Sequence, residues 1–78
     1  MDARVRAVIA EIMDIDPMDI DEDKRREEFD SWNSMNHLRL ITAVESIFGV
    51  QLSMQEIGGV DSPRQLEDLL RSKGALRE

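Results

Sequence analysis

Apolar residues recur at helical spacing in three separate runs, and this periodicity does most to limit the folds open to the chain. Val5, Val8, Ile9 and Ile12 fall at i, i+3, i+4 and i+7, which puts them on one face of a helix over residues 2–13, with Arg4, Arg6 and Glu11 on the other. The longest run is Leu40, Ile41, Val44, Ile47 and Phe48, with Leu38 at its edge, in a helix predicted over residues 34–48. Leu66, Leu69 and Leu70 form the third face. Val50 and Leu52 alternate like a short strand, but nothing else in the chain offers that strand a partner.

Punctuation between the runs sets the element count. Gly49 is a helix stop, and Ser31 and Asn33 are candidate caps before the second helix. Ser53-Met54-Gln55-Glu56 has the spacing of a capping box and opens a short helix that ends at Gly58-Gly59. Ser62-Pro63 opens the last helix with Pro at its first position, and Gly74 closes it. The expected fold is all-α: a bundle of three main helices plus one short helix, forming a single domain over 1–78.

The stretch 14–30 has a different character. It holds nine acidic and three basic residues and so carries -6 of the formal net charge of -7. Pro17 prevents the first helix from continuing. Ile15, Met18 and Ile20 are spaced as apolar pegs, so the stretch reads as a long acidic first loop pinned to the core. Asp19-Ile20-Asp21-Glu22-Asp23 resembles the start of a calcium loop. That loop needs Gly at its sixth position and Glu at its twelfth, where this chain has Lys24 and Asp30. No metal site is assigned; the rival reading is a divalent-cation-binding or purely interacting helical protein.

Composition narrows the function. With no cysteine, disulfides, zinc-thiolate sites and iron–sulfur clusters are all excluded. A chain of 78 residues buries only about 60% of its unfolded surface, too little for a deep catalytic cleft. The acidic balance argues against nucleic acid and anionic membranes and favours basic partner proteins. No apolar run approaches a membrane span, and the N-terminus has no signal-peptide core, so a cytoplasmic, soluble monomer is expected. Ser34 and His37, three apart on one helix, invite comparison with a nucleophile and its base. No carboxylate stands at helical spacing beside His37, whose neighbours there are Asn33, Asn36 and Ile41, so no enzyme is expected. Ser34 does lie where a helix exposes unpaired N–H groups and positive partial charge. Local physics leaves it two roles: helix cap, the commoner, or phosphate acceptor.

The run Asp30-Ser31-Trp32-Asn33-Ser34-Met35-Asn36-His37-Leu38-Arg39-Leu40-Ile41, followed by Thr42-Ala43-Val44-Glu45-Ser46-Ile47-Phe48-Gly49-Val50, resembles the acyl carrier protein family. Ser34, Leu38-Arg39-Leu40, Val44-Glu45 and Phe48-Gly49 fall into the family's register without a gap, whereas a register on Ser31 loses these matches. The resemblance implies a carrier rather than a catalyst. A phosphopantetheinyl transferase, using coenzyme A and Mg²⁺, would attach 4'-phosphopantetheine to the Ser34 hydroxyl by attack on the β-phosphate. The imported thiol would then carry acyl or aminoacyl groups as thioesters from a loading ligase to a downstream acyltransferase or synthase.

Departures from the family pattern are as informative. Asn33 stands where the family usually has Asp, and Asn36 and Arg39 occupy positions that tend to be acidic in fatty-acid-synthesis members, leaving Glu45. The resemblance therefore points to a specialised carrier of lipid or secondary-metabolite biosynthesis, and Trp32-Asn33-Ser34 is similar to carriers of secondary-metabolite and polysaccharide-modification pathways. Asn33, Met35, His37 and Arg39 are the candidate contacts to the arm or to partners. His37 would either touch the ester phosphate or remain an exposed surface residue. Met35 would meet partners or pack against the loop, and Arg39 would meet partners or stay solvated. Met54 and Ile57 would face Leu38 and Ile41 across a narrow groove or simply join the core. Trp32 is expected to pin the loop end to the bundle.

Overall fold

In the computed structural model, which describes residues 1–76, four α-helices account for most of the chain. They are α1 (Ala3–Met13), α2 (Ser34–Phe48), α3 (Met54–Gly59) and α4 (Pro63–Ser72). No strand forms among the described residues.

Each helix starts on a side-chain cap. Asp2 accepts from the Arg4 and Val5 amides at 2.8 and 3.3 Å. Asn33, not Ser31, caps α2 by accepting from the Asn36 amide at 2.9 Å. Ser53 and Glu56 form both halves of the capping box on α3, and Ser62 caps α4 with Pro63 at its first position. α2 ends at Gly49 in the left-handed region, φ 67°.

The core lies where α1 crosses α2 and α4. Val5, Val8, Ile9 and Met13 meet Leu40 and Val44 from α2 and Leu66 and Leu70 from α4. The expected apolar face of α2 is narrower than the sequence suggests: Leu40, Ile41 and Val44 are buried and Phe48 packs against the core, whereas Ile47 is 54% exposed.

The acidic loop is more ordered than a solvated tether. It contains two 3₁₀ turns, Pro17–Asp19 and Arg26–Glu28. Its pegs also differ from expectation. Ile20 is buried and Ile15 half-buried, but Met18 sits on the first 3₁₀ turn and is 87% exposed. Phe29 and Trp32 do the remaining anchoring, with ring centroids 5.3 Å apart. A polar clasp joins the loop to the start of α4. The Arg26 amide donates to the Asp61 carbonyl at 2.7 Å and the Arg64 amide to the Glu22 carbonyl at 2.9 Å. The Arg64 guanidinium holds Asp23 at 2.5 Å, and Arg25 holds Asp61 at 2.9 Å. The hydrogen bond and charge of Arg64 keep the Asp23 carboxyl below the usual carboxylate range. Among the described residues, no three His, Asp or Glu side chains converge as a metal site.

Candidate functional site at the mouth of α2

Ser34 is the first residue of α2 and is exposed. Helices begin with backbone amides that lack an intrahelical partner. Asn33 satisfies the Asn36 amide, which leaves the Ser34 and Met35 amides, and the Ser34 hydroxyl, without a partner among the described residues. No acidic residue stands in the first turn of this 15-residue helix. The site is thus a free hydroxyl in the positive end of a helix dipole.

The turn leading into Ser34 has no regular structure and is held by side chains. The Asn36 amide group donates to the Ser31 carbonyl at 2.8 Å, and the Asn36 Oδ1 atom accepts a long 3.4 Å bond from Arg39. The Trp32 indole is buried, and its Nε1–H donates to His37 Nδ1 at 3.0 Å. His37 Nε2 lies 2.8 Å from the Ile57 carbonyl of α3. Trp32 therefore pins the loop end as expected.

His37 corrects both sequence-derived roles. It is neither an exposed residue nor a phosphate contact: it is 6% exposed, with both ring nitrogens committed. The reason is the indole donor two residues before Ser34, which draws the imidazole inward. The same commitment removes His37 as a base for Ser34. Asn36 and the Trp32–His37–Ile57 chain are the site residues that sequence reasoning missed. A Trp donor five residues before a His was the available signal; the third partner, a carbonyl in another helix, left no trace in the sequence.

Beyond Ser34, α2 presents an apolar flank. Met35 is 71% exposed and Leu38 59% exposed. Together with Ile12 of α1, Arg39, Thr42 and Ala43 they line an open groove of about 480 Å³. Leu38 consequently faces the α1 side and not a groove against α3, where Met54 is exposed and Ile41 buried. Arg39 is the sole charge on the groove's lining. Glu45, the acid retained on α2, accepts from the Leu52 amide at 2.9 Å.

Residues 3–70 match the family described as phosphopantetheine attachment site. The chain belongs to this family of phosphopantetheine-bearing carrier proteins. A search of curated proteins finds no match. Members carry 4'-phosphopantetheine, are generally not catalytic themselves, and work with phosphopantetheinyl transferases and with synthases or acyltransferases. The mouth of α2 suits such a group in this carrier: an unpaired hydroxyl is available, and two free amides face any phosphate beside it. No helix among the described residues is long and apolar enough to cross a membrane.

Proposed function

We propose that Ser34 carries the 4'-phosphopantetheine arm and that the chain is a single carrier domain over 1–78, working as a cytoplasmic monomer in a specialised biosynthetic pathway. The observation that carries the assignment is the free, exposed Ser34 hydroxyl at the first position of α2. Of the other serines, Ser53 and Ser62 cap helices, the Ser72 hydroxyl donates to the Leu69 carbonyl at 2.7 Å, and Ser46 is exposed but lies near the C-terminal end of α2, away from the unpaired amides. Ser31 precedes the cap, and its carbonyl is tied down by Asn36.

Once bound, the arm supplies a thiol that holds acyl or aminoacyl groups as thioesters. The chain's own part is to present the hydroxyl, to stabilise the phosphodiester through the Ser34 and Met35 amides, and to dock partners. Asn33 supports the first role as the cap of α2. Met35 and Arg39 support the last: the groove beside Ser34 takes an apolar side chain, and Arg39 favours a carboxylate on the same partner. Acids are scarce on this face, which disfavours the basic patches of general fatty-acid enzymes and supports a dedicated loading ligase and a dedicated acyltransferase or synthase. The acidic loop, with Glu22 and Asp23 paired to Arg64, gives little support to a cation-binding role.

Incubation with coenzyme A, Mg²⁺ and a promiscuous phosphopantetheinyl transferase is expected to add one phosphopantetheine mass, and Ser34→Ala to abolish it. An unmodified wild type, or addition that survives Ser34→Ala, would overturn the assignment and favour an unmodified interaction protein. The intact mass of the protein from its native cell reads the cargo.

A further inference from the structure

The geometry points to His37 as a positioning residue that sets the turn bearing Ser34 by bridging it to α3; this rests on Ser34 as the attachment point. An indole Nε1–H can only donate, so His37 Nδ1 accepts at 3.0 Å. A neutral imidazole has one proton, which then resides on Nε2 and is donated to the Ile57 carbonyl at 2.8 Å. Hydrogen bonding at both nitrogens therefore selects a single tautomer, and the ring has one acceptor and one donor engaged.

What the ring joins gives it its role. On one side is Trp32, two residues before Ser34 and packed against Phe29 at the end of the loop. On the other is a six-residue helix with no fully buried side chain of its own. The Ile57 carbonyl belongs to the last turn of α3, where carbonyls lack intrahelical partners, and it accepts only a long 3.4 Å bond from the Val60 amide besides His37. One buried ring thus couples the acceptor turn to α3, and a hydroxyl that must meet a phosphorus atom in line depends on that turn being held.

Nitrogen-resolved NMR of the imidazole in the unmodified protein at neutral pH is expected to find His37 protonated on Nε2 alone, with the Trp32 indole proton slow to exchange. A ring protonated on Nδ1 alone, or an indole proton that exchanges freely, would overturn the inference whatever the transferase does. Arm transfer supplies the second arm, measured well below the melting temperature on variants checked by circular dichroism. His37→Leu and Trp32→Phe, the latter keeping an aromatic ring in the core, are expected to lower kcat by about tenfold or more with KM for the carrier changed by less than about twofold. His37→Gln, which keeps a donor toward Ile57, is expected to recover part of the loss. Wild-type kcat in folded Trp32→Phe, with Ser34 modified normally, would overturn the positioning role and leave the attachment reading standing. A wild type that takes no arm on Ser34 would remove both.

Discussion

Replacing Asn33 by Asp isolates the electrostatics of the α2 mouth, because it preserves the cap and changes only the charge. The Oδ1 atom that accepts from the Asn36 amide at 2.9 Å has an equivalent in Asp. No acid occupies the first turn, so the added charge meets the unshielded positive end of a 15-residue helix. Such an interaction is worth about 0.3–1 kcal/mol. For a domain of this size that raises Tm by about 1–8 °C. Asn33→Ala removes the cap, costs about 1 kcal/mol, and lowers Tm by about 4–8 °C. Thermal unfolding followed by far-UV circular dichroism at low salt should therefore rank Asp above Asn above Ala. Carrying the arm changes the balance. Two negative charges about 6 Å apart in water repel by about 0.7 kcal/mol, which cancels most of the gain once Ser34 bears a phosphodiester. The Asp variant should be stabilised in the bare protein and little changed in the loaded one, with transferase turnover not reduced. An Asp variant that melts below wild type in the bare form, or a gain that persists undiminished at high salt, would refute the picture of a helix mouth suited to an anion.

Glu56 is held below the usual carboxylate range by its bond from the Ser53 amide and by Lys73, and Asp23 by Arg64. Depressed carboxyl values stabilise the fold above the unfolded value near 4, and that stability is lost as pH falls through the folded values; Glu56→Gln and Asp23→Asn should flatten the fall of the urea midpoint on acidification. Leu40→Ala, at a fully buried site, should cost about 2–5 kcal/mol in denaturant unfolding. Ile47→Ala on the same helix should stay within about 0.5 kcal/mol, since Ile47 is largely in solvent; equal losses at the two sites would contradict the narrow buried face. Gly49→Ala should destabilise by roughly 1–2 kcal/mol in the same assay, through left-handed strain at φ 67° and not through a clash, since no atom lies within 4 Å of an added Cβ.

Local chemistry made the helices and much of the site legible in the amino-acid sequence. Apolar spacing, the Ser53 and Ser62 caps, Pro63 and Gly49 act over a few residues, so the order of the helices and the place of Ser34 at the mouth of α2 followed without tertiary knowledge. Burial and long-range pairing required the folded chain. Ile47 and Met18 satisfy an apolar pattern yet point to water, because exposure depends on which elements pass overhead. The acids of the loop look solvated in one dimension but meet Arg64 some forty residues on. His37, polar and one turn beyond Ser34, read as a surface group; an indole and a carbonyl from two other segments converge on it and make it interior. Helix formation is decided by neighbours in the chain, whereas the protonation and reach of a side chain are decided by neighbours in space.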